Sequence, residues 1–146
     1  MVKKLGIVVI FFAVVALAMG ILFVQQGFAK EAYLVDAMKQ EQIELAGVEG
    51  IIDTAAEAQL AADTLREHRH GIAPTYGDLL GGERFNPTDT TQLTYAQAMN
   101  LENYLYLAVT AFGLIQVAMA AGAFMIVTGI ALTLTGLVLF RLPVKV

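Results

Sequence analysis

The sequence contains no cysteine, so disulfides, thiol catalysis and thiolate metal sites are excluded. Charge is scarce: 15% of residues are charged, against roughly 25% in soluble domains. No basic patch exists outside the chain ends, which disfavours nucleic-acid binding. There is no Gly-rich phosphate loop, no nucleophile elbow and no zinc-hydrolase helix motif. Asn86-Pro87-Thr88 is not a glycosylation acceptor, because proline occupies its middle position.

Apolar residues fill the gap. They make up 58% of the chain, above the typical soluble share of about 45–50%. A length of 146 residues leaves room for one domain at most. All thirteen acidic residues lie between Glu31 and Glu102. Residues 29–102 carry a net charge of −8, while the two flanks carry +4 from Lys3, Lys4, Arg141 and Lys145. This asymmetry predicts two membrane helices with both termini cytoplasmic, in a plasma membrane, and residues 26–102 on the opposite side.

The first apolar run, Leu5 to Val24, has twenty uncharged residues, enough to cover a hydrocarbon core of ~30 Å. Gln25 and Gln26 mark its exit, so residues 1–4 read as a tail and 5–25 as transmembrane helix 1. Gly27-Phe28-Ala29 resembles a signal-peptidase site, but the run exceeds the usual h-region of about 7–15 residues. An uncleaved signal anchor is therefore the preferred reading.

The second run, Asn103 to Phe140, has thirty-eight uncharged residues. As one helix it is about 57 Å long, nearly twice the hydrocarbon thickness. A fold-back near Ala120-Ala121-Gly122-Ala123 would give two short spans, but no proline, asparagine or charge supplies a turn there. The preferred division counts back from Arg141. Residues 121–140 span the bilayer, 141–146 form a cytoplasmic tail, and 103–120 form an apolar helix outside the bilayer that protein must cover.

Small residues recur every seven positions in both runs. Gly6, Ala13, Gly20 and Gly27 do so in the first, and Gly122, Gly129 and Gly136 in the second, shadowed by Ala121, Thr128 and Thr135. This spacing makes one stripe of a left-handed crossing, where small side chains let backbones approach. The stripe predicts a tight antiparallel hairpin or contact with a partner's helix; the glycine and alanine content of membrane helices produces similar registers by composition alone.

Between the runs, apolar Leu34, Met38, Leu45, Val48, Ile52, Ala56 and Leu60 follow helical spacing. Gly47 and Gly50 predict a break, with one helix continuing to about Ala46 and another over Ile51 to Arg69. Residues 71–93 read as irregular, punctuated by Pro74, Gly77, Gly81-Gly82 and Pro87. Thr94 with Gln97 fits a capping box opening the last helix. Tyr104 and Tyr106 fit either an aromatic interface belt or a protein-packed position. The expected fold class is all-α: an integral membrane protein with a two-helix transmembrane hairpin and an extracytoplasmic bundle of about three helices.

Candidate chemistry is sparse. Glu67, His68 and His70 could ligate a metal only if the helix has ended, because residues two apart on a helix diverge. Arg66 and Arg69 oppose a cation there, and a solvated helix end is the preferred reading. Glu49, Asp53 and Glu57, four apart, predict an acidic ridge open to a cation or a basic partner, with solvated surface as the default. Asp78 and Glu83 lack a third group for acid–base work. Neither span contains an ionisable residue, which argues against a lone transporter or channel.

The expectation is a non-catalytic accessory subunit of a larger membrane assembly, with no cofactor and no metal. Its partners are other membrane subunits or further copies of itself, and the lipid bilayer. The alternatives are a receptor-like or ligand-binding protein with a dimeric outer bundle, and an enzyme at the membrane surface.

Overall fold

A computed structural model describes residues 2–44 and 50–142. Leu45, Gly47, Val48, Glu49 and Lys145, which carry several of the expectations above, lie outside the described residues. The described chain is all-helical, and no strand occurs among its described residues. The helices are α1 (Val2–Glu41), α2 (Ala55–Ile72), α3 (Tyr76–Leu80) and α4 (Thr90–Arg141). Both α1 and α4 are long and apolar enough to cross a membrane.

Most helix ends depart from the sequence expectation, each for a local reason. The first helix stops at Glu41, short of Ala46, where Gln42 turns left-handed at φ 49°. The second begins at Ala55, not Ile51, because Thr54 caps it. Thr54 Oγ1 accepts from the Glu57 amide at 3.2 Å, and the Glu57 carboxylate accepts from the Thr54 amide at 3.1 Å. That closes a capping box the sequence analysis placed elsewhere. Helix α2 also runs past Arg69 to Ile72, where extended Ala73 precedes Pro74 and disfavours further helix.

The stretch 71–93 is less irregular than its composition predicts. It holds α3, whose first turn is capped by Thr75 and whose end turns on left-handed Gly81 at φ 57°. Helix α4 starts at Thr90 instead of Thr94. Asp89 Oδ1 accepts from the amides of Thr91 and Gln92 at 2.9 and 3.1 Å, doing the capping assigned to Thr94. Thr94 lies inside the helix and its hydroxyl donates to the Thr90 carbonyl at 2.8 Å. No fold-back occurs near Ala120–Ala123, since α4 is one uninterrupted helix of 52 residues.

The chain divides into two compact units, one of Met1–Ala32 with Leu114–Val146 and one of Tyr33–Gly113. In the first, α1 and α4 run antiparallel along a glycine seam. Gly6 meets Gly136, Gly20 meets Gly122, and Gly129 meets the Ala13 carbonyl, so each step of seven along α1 matches a step of seven back along α4. All seven small residues of the stripes are buried. Thr128 is half-buried, whereas Thr135 is exposed and bonds its own helix at Ala131. The outer faces, with Phe11, Phe12 and Leu22 on α1 and Phe124, Val127 and Leu134 on α4, remain open.

In the second unit, α1, α2 and α4 share one small core. Ile52, Ala58, Ala61, Ala62 and Leu105 are buried at its centre, with Met38 of α1 and Leu101, Ala108 and Val109 of α4 packed against them. Three of the five central residues are alanines, so α2 lies close to its neighbours and little apolar area is gained per residue.

The seam makes a graded prediction. A Cβ on Gly20 would lie 2.7 Å from the Gly122 carbonyl oxygen and 2.9 Å from the Ile126 amide, and one on Gly122 would lie 2.8 Å from the Gly20 oxygen. These neighbours are backbone and cannot rotate away. Gly20→Ala and Gly122→Ala are each expected to cost about 1–3 kcal/mol. Gly27→Ala meets only the flexible Met119 side chain and should cost less. Gly113→Ala meets nothing within 4 Å and should stabilise by about 0.5–1 kcal/mol. Thermal unfolding of the four variants in one detergent checks the order.

Candidate functional site

The Tyr33–Gly113 unit carries a groove of about 820 Å³. One wall is the end of α1, with Leu34, Ala37, Met38 and Glu41; the other is α4 from Leu101 to Ala111. Ile43 and Ile52 also line it, and the Ile52 amide donates to the Ile43 carbonyl at 3.0 Å. Alanines at 37, 108 and 111 leave the hollow, and Leu34, Tyr104 and Leu107 stand around it. Among the described residues, Glu41 is the only charged one in the lining. The volume falls within the roughly 300–1,000 Å³ of ligand pockets, and the apolar lining with few polar groups is typical of them.

Several polar side chains of the same unit are paired with one another. Arg69 on α2 donates from Nε to Glu102 Oε2 at 2.7 Å and from Nη2 to Oε1 at 3.3 Å, a forked pairing with α4. Its Nη1 donates to the Tyr95 hydroxyl, and its guanidinium sits 5.0 Å from the Tyr95 ring centre. Glu102 and Tyr95 are buried, with Tyr95 fully so. The ring of Tyr76 lies 6.2 Å from that of Tyr95, which ties α3 to the same point. The Glu102 carboxylate holds the Arg69 pKa above its ordinary value.

A second network links the same two helices. The Tyr106 hydroxyl donates to Asp63 Oδ1 at 2.6 Å, and Gln59 Nε2 donates to Oδ2 at 2.9 Å. Arg66 lies 3.1 Å from Asp63. The Tyr106 hydrogen bond, then that of Gln59 and the charge of Arg66, hold the Asp63 carboxyl below its usual range. The same bond raises the Tyr106 phenol above its usual value, with burial acting in the same direction.

The residues singled out from sequence are placed differently. Asp53 precedes helix α2 and pairs with Lys39 at 3.0 Å, and Glu57 is committed to the helix cap. They are not successive turns of one acidic helix face. Glu49, their third member, lies outside the described residues. Glu67, His68 and His70 are exposed on a helix that continues beyond them, so the two histidines diverge. Asp78 accepts from the Thr75 hydroxyl at 2.7 Å within the α3 cap, and Glu83 is exposed. No cluster of three metal-ligating side chains exists among the described residues.

Arg69, Tyr95, Glu102 and Asp63 escaped the sequence analysis. By sequence Arg69 belongs to a charged helix end with Arg66, Glu67, His68 and His70. The available signal was Glu102 itself, an acid at the threshold of a long apolar run with Tyr95 two turns before it on the same face. No protein family, characterised protein or solved structure matches this chain.

Two predictions follow from the networks. Arg69→Met or Glu102→Leu alone leaves a buried charge without its partner and should cost about 3–5 kcal/mol, while the double variant recovers much of that loss. Chemical denaturation of the three variants measures it. The Asp63 pair should be pH-sensitive at both ends. A lowered carboxyl contributes stability above its unfolded pKa, lost as pH falls through the folded value. The raised phenol contributes below its unfolded pKa, lost as pH rises through the folded value. Tyr106→Phe should therefore move the Asp63 titration upward, read from its carboxyl carbon by NMR.

Proposed function

We propose that this chain is a non-catalytic accessory subunit of a larger membrane assembly, with α1 and α4 as its two membrane helices. One observation carries the reading. Helix α4 has 52 residues, about 78 Å of helix, and a bilayer core takes only ~30 Å. Counted back from Arg141, about twenty residues cross the lipid, which leaves Leu107, Leu114 and Val117 beyond it. These three are 63%, 67% and 68% exposed. Leu105 and Phe112 of the same stretch are buried, so the chain covers one side of its surplus helix and leaves the other open. An apolar stripe of this kind calls for a protein neighbour. The absence of ionisable groups from both spans and the structural use of the polar side chains fit a subunit without chemistry of its own.

The charge distribution supports an orientation with both ends cytoplasmic and the acidic Tyr33–Gly113 unit outside the cell membrane. A second reading, a ligand-binding membrane protein with a dimeric outer bundle, is favoured by the groove beside Glu41.

Because the chain has no native cysteine, single introduced cysteines report position without background. An impermeant thiol reagent added to intact cells should label Gly82→Cys and spare Val2→Cys and Leu142→Cys. Under mild detergent the chain should elute with other membrane subunits in fixed stoichiometry, and Leu107→Ser with Leu114→Ser should release them. A clean monomer, unchanged by those substitutions, overturns the accessory reading.

A further inference from the structure

We propose that the groove of the Tyr33–Gly113 unit binds a single-chain cationic amphiphile, with its alkyl chain along Ala37, Ala108 and Ala111 and its ammonium head at Glu41. This deepens the ligand-binding reading above, and its groove shares Leu107 with the stripe that the accessory reading gives to a neighbour.

The lining selects the tail. Among its twelve described lining residues only Glu41 and Tyr104 have strongly polar side chains, so a ligand rich in hydrogen-bonding groups would be desolvated without compensation. An unbranched alkyl chain has no such requirement and gains from contact with every wall. The size argues against a partner helix. A helix about 10–12 Å across would fill 820 Å³ in roughly 10 Å, under two turns.

The charges select the head. Glu41 is the last residue of α1, where unpaired backbone carbonyls add partial negative charge. Lys39, the basic residue of that last turn, is engaged 3.0 Å from Asp53. The Tyr33–Gly113 segment carries twelve acidic and four basic residues, a net of −8. A fatty acid anion is repelled by this field, while an ammonium group is drawn in. Tyr104 offers the head a hydroxyl from the opposite wall.

The chain has no tryptophan, so one introduced residue reports the groove alone. Leu107→Trp on the open rim would be reconstituted as full chain in zwitterionic lipid nanodiscs and titrated with an octadecylamine brominated on its alkyl chain. Quenching should saturate at about one amine per chain, and the equally brominated fatty acid should bind at least about tenfold more weakly. Glu41→Gln should bring the two within about threefold of each other. Ala108→Phe, which fills the hollow, should abolish the saturable quenching in the same reporter chain. Ala37→Leu is the second filled variant, and the helical circular dichroism of both confirms folding.

The proposal is overturned by quenching that rises without saturation, as a Leu134→Trp reporter on an open apolar face should show by bulk partitioning. It is equally overturned if amine and acid quench alike in the unaltered groove, or if the filled variants bind as before. Cross-linking of two chains through the groove, with the reporter shielded from both probes, would assign the surface to a second copy instead. Because the experiment uses the isolated chain, its failure leaves the accessory reading standing, and loss of co-eluting subunits leaves this one standing.

Discussion

Helices as apolar as α1 and α4 have no strong reason to choose each other over any other apolar surface. In an apolar surrounding, hydrophobicity does not discriminate between neighbours, and close van der Waals contact must do so. The chain meets this constraint by omitting side chains. At Gly20 and Gly122 each backbone occupies the space the other's Cβ would need. Ile10, Leu17 and Val24 of α1 then fall against Gly136, Gly129 and Gly122 of α4, so large residues fill what the small ones vacate. The outward faces are left free to meet lipid or other proteins.

The Tyr33–Gly113 unit solves a different problem. Its alanine-rich core is small, and a core of that size holds three helices together only weakly. Polar pairs supply definition instead. Arg69 spans from α2 to Glu102 and Tyr95 on α4, and Asp63 spans from α2 to Tyr106. A buried ion pair adds little net stability, but it penalises any arrangement that separates its members. Helix α2 is thus fixed against α4 more by what it would lose elsewhere than by the area it buries. The same use of side chains commits Arg69, Glu102, Asp63 and Tyr106 to contacts between the two helices.

Much of this was visible in the residue pattern. Two long uncharged runs announced two long helices, because nothing in them interrupts the backbone ladder. Gly6, Ala13, Gly20 and Gly27, spaced seven apart, lie on the buried face of α1. Helix ends were read poorly where several caps competed. Thr54, Asp89 and Thr94 are all chemically able to cap; Thr54 and Asp89 do so, while Thr94 bonds within the helix. The Arg69–Glu102 pair was hidden for a deeper reason. Its members are separated by 33 positions, and local composition made Arg69 look like one more charge at a wet helix end. The groove was invisible because a hollow is a property of three segments at once.

The seam between α1 and α4 has a property of repeating patterns. Ile10, Leu17 and Val24 recur with the same period as the glycines they oppose, and so do Met119 and Ile126 on α4. Sliding one helix by a single period, about 10 Å, would bring equivalent shapes together again. The repeat behaves as a vernier without a zero mark: it fixes spacing and not position.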